Sequence, residues 1–145
     1  MKSLIVSLCI SLALISCGSQ SKTISAVSYV VAKNYFVKNT VENKLFEVKI
    51  TSQDEFDSFF GIARTMGEGG KPTAINFDSE FVIAVINPIS DDVSGVECKD
   101  LIMSGEKLVL DYSLAKTDKQ SFESRHALIL IVDKKLEAEV EFVNN

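Results

Sequence analysis

The side chains that could carry out acid–base chemistry are few, and they centre on the single imidazole of the chain, His126. Histidine is the usual general base of hydrolytic sites because its pKa lies near neutrality. A Ser-His-Asp arrangement could use Ser121 or Ser124 as nucleophile and Asp118 as the orienting carboxylate. Neither serine lies in a nucleophile-elbow pattern, so the spacing does not support this arrangement. We therefore interpret His126 as a strand-edge histidine, assign no catalytic residue and predict that the protein is not an enzyme.

Two further motifs suggest ligand chemistry, but their spacing does not fit it. Residues 68–72 invite comparison with a phosphate-binding loop, yet Thr65 replaces its first glycine and Pro72 its hydroxyl residue. Asp91 and Asp92 lack the ligand spacing of a calcium loop. One His and three Cys are too few for a zinc site built by the protein alone. We expect no metal ion and no cofactor.

One polar segment offers a candidate binding surface. Residues 116–125 are polar except for Phe122, and Arg125 follows three residues later. An aromatic side chain flanked by charge on a loop is the kind of group that anchors an interface. The alternative is that Phe122 folds back onto the rim of a sheet, and the sequence does not choose between the two. We assign Phe122 and Arg125 as candidate interface residues.

The beginning of the chain has the features of a secretory signal. Lys2 supplies a positive charge, and residues 4–15 are apolar except for Ser7 and Ser11. Twelve helical residues span about 18 Å, which is short of the ~30 Å hydrocarbon core of a bilayer. The segment therefore predicts a signal peptide over residues 1–16 rather than a transmembrane anchor.

The four residues that end this segment, Leu14-Ile15-Ser16-Cys17, resemble the lipobox of bacterial lipoproteins. The resemblance implies thioether lipidation of Cys17, cleavage before it and acylation of the new N-terminus. Two or more fatty chains hold a protein firmly on a membrane. The alternative is an ordinary secretory signal with an incidental cysteine. After processing, only Cys98 keeps a thiol, either as a small buried apolar residue or as an exposed thiol able to dimerise.

The residues after Cys17 bear on where the protein resides. Residues 17–26 begin with small polar side chains and predict a lipidated, flexible tether before a single domain at 27–145. By resemblance, Gly18 does not match the aspartate that retains enterobacterial lipoproteins at the inner membrane. The tether also lacks the acidic residues that mark surface export in Bacteroides-type bacteria. We expect the outer membrane, on its periplasmic side.

Charge and length limit the possible partners. The 145 residues include 15 basic and 20 acidic side chains, a net charge of −5, which becomes −6 once Lys2 leaves with the signal peptide. A nucleic-acid partner is not expected, because phosphate recognition requires clustered Lys and Arg. The 129 residues that remain after position 16 (145 − 16) fit one domain.

Hydrophobic periodicity predicts mainly strands and one helix. Residues 46–50 alternate apolar and charged, and residues 81–86 and 127–132 are continuously apolar, as in strands covered on both faces. Ser52 and Glu55 fit a capping box, followed by an apolar stripe at helical spacing that consists of Phe56, Phe59, Phe60 and Ala63. Short connections between most of the later predicted strands favour antiparallel pairing of these strands. We predict an α+β fold: one antiparallel sheet of about six or seven strands with a Phe-rich helix on one face.

Part of this pattern resembles a known family. The Phe-rich helix, Pro72, the segment at 75–78 (Ile-Asn-Phe-Asp) and the buried strand after it resemble the C-terminal domain of the PrcB family, lipoprotein subunits of a spirochaete surface protease complex. They also resemble small lipoproteins of Bacteroides-type bacteria. The likeness covers roughly residues 45–133. The family's Gly-rich turn is replaced here by residues 87–90 (Asn-Pro-Ile-Ser), and no functional residue is carried over.

Two functional hypotheses from different classes follow. The first is a non-catalytic envelope lipoprotein that binds a partner, as an accessory subunit or inhibitor of an envelope protease. The second is a small-ligand binder with a pocket between the sheet and the side chains of Phe56, Phe59 and Phe60. A hydrolase that uses His126 is the third, and the spacing argument above speaks against it.

Overall fold

The computed structural model describes residues 23–145, so the predicted signal peptide and the predicted lipidation site Cys17 lie outside the described residues. Ten strands, one α-helix and two 3₁₀ turns make up the described part of the chain. The strands are β1 Ile24–Ala26, β2 Val30–Val31, β3 Tyr35–Val37, β4 Phe46–Ile50, β5 Phe60–Ile62, β6 Glu80–Ile86, β7 Val93–Ser104, β8 Lys107–Lys116, β9 Ala127–Asp133 and β10 Glu139–Asn144; the helix is α1 Gln53–Phe59, and the 3₁₀ turns are Glu68–Gly70 and Lys134–Leu136.

Two four-stranded sheets pack face to face as a sandwich. The outer sheet has the strand order β1-β7-β8-β10, and the middle sheet has the order β2-β9-β6-β4. Alternation along β8 points its apolar side chains inward, as expected for a sheet with one wet face. The core between the two sheets is formed mainly by Phe81, Ile83, Val85, Leu101, Leu108, Leu110, Tyr112, Leu128, Leu130 and Val132.

The middle sheet is buried on both of its faces, which explains why β6 and β9 are apolar at almost every position. Its second face carries Val82, Ala84 and Ile86 from β6. Burying both faces removes nearly all of the apolar side chains of these strands from water, and this removal is the dominant favourable term in folding. The prediction that residues 81–86 and 127–132 form strands covered on both faces is confirmed.

A third layer covers that second face. It consists of α1 and a small sheet in which β3 pairs with β5. The capping box starts the helix as predicted, since the Glu55 amide donates to Ser52 Oγ at 3.3 Å and the Glu55 carboxylate accepts from the Thr51 amide at 3.2 Å. The helix ends at Phe59, whereas the predicted apolar stripe continues to Ala63. Phe60 opens β5 instead, and its amide still donates to the Phe56 carbonyl.

The predicted α+β fold with one antiparallel sheet of six or seven strands is wrong. The protein is mostly β, with 49% of the described residues in strands and 10% helical, and the ten strands of this part of the chain form three sheets. Strands β6 and β9 are buried on both faces, so a layer of the protein must pack on each face. The sequence did not show that one of these layers is a second sheet. Pairing is also not wholly antiparallel, because β10 runs parallel to β8. The 3₁₀ turn at Lys134–Leu136 carries the chain from the middle sheet to the outer sheet, so no hairpin fixes the direction of β10.

The first described residues belong to the fold. Ile24–Ala26, assigned from sequence to the flexible tether, form β1 and pair with β7. Strands β2 and β3 are separated by a bend at Asn34, which has a positive φ of 65°. Asparagine tolerates this left-handed conformation better than most residues. Its side-chain amide also donates to the carbonyl oxygens of Gly69 (2.8 Å) and Lys71 (2.7 Å), which holds the glycine-rich loop against this bend.

Strand register defines two ends of the sandwich. At the near end, Ile24 pairs with Ser104, and Glu139 pairs with Lys107. At the far end, Val93 pairs with Lys116. The twelve residues of β7 separate the two ends by about 36 Å at ~3.3 Å per residue. The described chain therefore enters at the near end, and the far end carries the loops 38–45, 87–92 and 117–126.

Candidate binding site at the far end of the sandwich

The three far-end loops are joined by backbone hydrogen bonds. Ser90 and Ser124 exchange two of them, at 3.0 and 2.9 Å, and form an isolated antiparallel bridge. The Thr117 amide donates to the Asp92 carbonyl at 2.8 Å. Ile89 is linked to the third loop, because its amide donates to the Asn43 side-chain oxygen at 2.7 Å. Loops tied together in this way present a defined surface on a rigid scaffold.

Arg125 connects the same loops through its guanidinium. Nε donates to the carbonyl oxygen of Asn87 at 3.2 Å, and Nη1 donates to that of Val41 at 2.8 Å. Nη2 donates to the carbonyl oxygens of Glu42 at 2.6 Å and Lys44 at 3.4 Å. A planar fork of five N–H donors can reach several acceptors at once, which an ammonium group cannot do. Burial lowers the pKa of Arg125 from its ordinary value. We name this set of contacts the Arg125 clamp.

A cleft of about 440 Å³ lies beside the clamp. Residues 37–43 form most of its wall, and Ile89 and Arg125 complete it. The wall therefore combines aliphatic side chains, polar backbone and positive charge. Small-ligand and peptide sites commonly have this mixture of apolar surface with a few placed polar groups.

Each of the three far-end loops carries an exposed apolar side chain. Phe122 is 60% exposed, Ile89 is 45% exposed and Leu45 is 41% exposed. Of the two alternatives for Phe122, the structure favours the outward one, since its side chain is not folded onto the sheet rim. Arg125 is nearby in sequence but plays a different part, because its donors hold loops together. Both residues lie on the far-end loop 117–126, and the sequence gave no sign of the clamp.

His126 and Ser124 lie in contact. The Ser124 Oγ is 2.8 Å from His126 Nε2, and both residues are partly buried. Ser124 is therefore the candidate nucleophile that contacts the histidine. Within residues 23–145, Ser121 and Asp118 make no hydrogen bond to His126. In the same part of the molecule no carboxylate bonds the other ring nitrogen, so a complete Ser-His-Asp triad is not formed there.

The adjacent acidic pair, Asp91 and Asp92, makes contacts with neighbouring side chains. Asp92 accepts a short hydrogen bond from the Ser90 hydroxyl and lies 3.5 Å from Lys116 Nζ, and these two contacts lower the pKa of its carboxyl group. Asp91 lies 3.2 Å from Lys119 Nζ. Both carboxylates thus have basic or hydroxyl partners of the kind found on a solvated loop.

The space between the helix and the middle sheet is filled by side chains. Phe56 and Phe60 are each 2% exposed, with ring centroids 4.9 Å apart, and Tyr35 packs edge-on against Phe56 at 5.0 Å. Phe59 packs against Phe46 at 5.5 Å. The far-end cleft and a smaller one of about 280 Å³ beside Tyr29 and Ser79 are lined by other residues. This packing argues against the pocket predicted beneath the Phe-rich helix.

Two polar contacts between the layers were not predicted. The hydroxyl of the buried Tyr112 donates to the Glu47 carboxylate at 2.6 Å. Burial is the main cause that raises the pKa of Tyr112, and the contact with Glu47 raises it further. Lys49 Nζ lies 3.3 Å from the Glu137 carboxylate. Glu47 and Lys49 form the charged face of strand β4, whose residues alternate apolar and charged. That face lies at the rim of the sandwich and pairs there with polar partners.

Cys98 adopts a position between its two predicted alternatives. The thiol is partly buried against the sandwich core and is not in a disulfide. Burial is the main cause that raises its pKa, with smaller contributions from Asp100 and Asp111. A raised pKa lowers the thiolate fraction and with it the reactivity of the group.

Two features of other functional classes are absent from residues 23–145. In this range no group of three or more His, Cys, Asp or Glu side chains is placed to hold a metal ion. None of the helices found there is long and apolar enough to cross a membrane. Comparison of the chain with protein-family models, with curated proteins and with solved structures gave no match.

Proposed function

We propose that this chain is a non-catalytic cell-envelope lipoprotein that is anchored through Cys17 and binds a protein partner with its far end. One observation supports it above the others: the described chain enters at the near end, and the pinned loops, the cleft and the exposed Phe122 lie at the far end. An anchor at one end leaves the other end accessible to partners.

The dimensions are compatible with this arrangement. Six Cα–Cα steps join Cys17 to Thr23 (23 − 17), and even fully extended they span at most about 22 Å. The sandwich adds about 36 Å, estimated from the length of β7. If the molecule stands on its near end, the far-end loops lie several tens of ångströms from the bilayer. A partner would then be an envelope protein rather than a lipid.

The composition of the far-end surface favours a protein as the partner. Exposed aromatic and aliphatic side chains lie on the same far-end loops as Arg125, and aromatic residues and arginine are enriched at protein–protein interfaces. The resemblance to lipoproteins of a protease complex suggests an envelope protease as one such partner. We place the protein at the outer membrane, facing the periplasm, and expect no nucleic-acid partner because of its net charge of −5.

Site-specific photo-crosslinking in cells tests the proposal. A photoreactive amino acid at Phe122 should give a discrete adduct with an envelope protein. The same group at Glu106, an exposed residue in the near-end turn between β7 and β8, serves as the control and should give none. Adducts of equal yield at both positions, or no adduct at Phe122, would contradict the proposal.

The contact between Ser124 and His126 favours a second candidate function, a hydrolase. A serine within hydrogen-bond distance of a histidine is the minimal activated nucleophile. We rank it below the binding function because the contact lacks an orienting carboxylate within the described residues. The two candidates are separated by a serine-directed active-site probe, which should label Ser124 only if the hydrolase is real.

A further inference from the structure

The far-end cleft has positive charge that no carboxylate of the described residues neutralises. Both Lys38 and Arg125 line it. Arg125 donates to four backbone carbonyl oxygens, and Lys38 Nζ donates to the carbonyl oxygen of Asp57. Glu42, the acidic residue of the wall, lies 2.6 Å from Lys44 Nζ and so has its own basic partner. Carbonyl dipoles satisfy N–H groups, but they leave the full charges of Lys38 and Arg125 in place.

The donors that remain can be counted. A guanidinium has five N–H groups, of which four are used, so Arg125 keeps one on Nη1. An ammonium has three, of which one is used, so Lys38 keeps two. Three N–H groups and two positive charges at a partly buried site suit an anion. In a chain with net charge −5, such a site attracts anions locally while the rest of the surface repels them.

The remaining wall determines what kind of anion fits. Val37, Val41 and Ile89 give the cleft an aliphatic side. A phosphate would place its third and fourth oxygens against these apolar groups. Those two oxygens would then lack hydrogen-bond partners, which is unfavourable. A carboxylate presents two oxygens to the donors, and an attached aliphatic group can cover the valine and isoleucine side chains.

We propose that the far-end cleft binds a carboxylate carried on a small aliphatic group, such as the C-terminal end of a partner chain that finishes in an aliphatic residue. This inference rests on the proposed function, because it names the chemistry by which the far end recognises its partner. The Arg125 clamp keeps the cleft walls in place, and Lys38 supplies most of the donors that remain for the ligand.

The test compares a charged probe with a neutral one of the same shape. The full chain, purified in a non-ionic detergent, is titrated with isovalerate and separately with isovaleramide while backbone amide NMR signals are followed. Isovalerate should shift the signals of residues 37–43 and Ile89, more strongly at low ionic strength, and isovaleramide should leave them in place. Equal responses to the two probes, or no response to isovalerate, would overturn the inference.

Variants separate the site from non-specific charge attraction. Lys38→Met keeps the aliphatic stem and should weaken isovalerate binding by at least about tenfold, the usual effect of losing a charge-assisted hydrogen bond. Lys116→Met removes a far-end charge outside the cleft and should bind as the wild type does. If Lys38→Met disturbs the fold, Ile89→Glu replaces it, with Ile89→Gln as the neutral control. Wild-type-like binding by Ile89→Glu would also overturn the inference.

The outcome is distinguishable from that of the proposed function. A crosslink from Phe122 to an envelope protein without any isovalerate response removes the carboxylate site alone. An isovalerate response without a crosslinked partner leaves the cleft as an anion site and removes the proposed protein partner.

Discussion

Arg125 should be the residue whose loss most disturbs the far end. Two of its four acceptors, the carbonyl oxygens of Asn87 and Val41, take part in partly buried hydrogen bonds. A hydrogen bond to a charged group contributes about 1.5–3 kcal/mol, and we lower this to about 1–2 kcal/mol for each partly buried bond because water can reach the site. The two exposed bonds add little. Arg125→Met should therefore reduce the free energy of unfolding by about 2–4 kcal/mol.

Urea denaturation and hydrogen exchange measure two different consequences. Denaturation should show a lower midpoint with an unchanged slope, because the variant exposes the same surface on unfolding. Hydrogen exchange should become faster in residues 38–45 and at Ile89, while the amides of β6 and β9 keep their relative protection. Arg125→Lys should recover only part of the stability, since an ammonium cannot reach the four acceptors together.

Arg64 provides the matched control. Its side chain is exposed and makes no hydrogen bond or ion pair with residues 23–145, so Arg64→Met should change the free energy of unfolding by less than about 0.5 kcal/mol. If Arg125→Met is equally mild and leaves exchange at 38–45 unchanged, the clamp does not hold the loops and the reasoning is refuted.

Three further predictions concern other parts of the molecule. Asp100 lies directly opposite Asp111 on β8, so Asp100→Lys should replace repulsion with attraction and raise the free energy of unfolding by about 0.2–1 kcal/mol in chemical denaturation. The pKa of Tyr112 is raised in the folded state, so folding stability should be full below about pH 10 and fall as the pH rises further. Tyr112→Phe should lose about 1–2 kcal/mol near neutrality, and its stability should fall less between pH 10 and 11 than that of the wild type. A fluorophosphonate probe should leave Ser124 unlabelled under conditions that label a serine hydrolase; labelling that is abolished by Ser124→Ala would instead establish the second candidate function.

Some elements could be predicted because local physics determines them. The continuous apolar runs at 81–86 and 127–132 allow little other than strands buried on both faces. The capping box at Ser52 specifies the start of α1, and the turn after Ser104 joins two strands through Gly105, whose φ of 65° suits glycine. Each of these features depends on residues that are close together in sequence.

The wrong parts of the fold prediction depend on contacts between distant segments. Nothing in the spacing of β10 shows that it joins the outer sheet in parallel with β8, because this pairing follows from a crossover between layers. The aromatic stripe after Ser52 continues at helical spacing to Phe60, yet the chain turns extended there in order to pair β5 with β3. Tertiary pairing overrides the local periodicity at this point.

The candidate site was predictable in the same limited sense. Phe122 is noticeable as the lone aromatic residue of a polar stretch, and the structure leaves it exposed. The clamp depends on backbone carbonyl groups about 40 to 80 residues away from Arg125. Carbonyl groups are present at every residue, so the sequence holds no signal for which of them an arginine reaches. Lys38 escaped notice for the same reason.

The proposed function depends most on the anchor at Cys17, because the anchor determines which end of the sandwich faces the membrane. Mass spectrometry of the native protein, extracted from membranes and digested, tests this directly. The account predicts an N-terminal peptide that begins at Cys17 and has the added mass of a thioether-linked lipid and an N-terminal acyl chain. A peptide in which Cys17 is unmodified, or one that reads through residues 16 and 17 without cleavage, would contradict it.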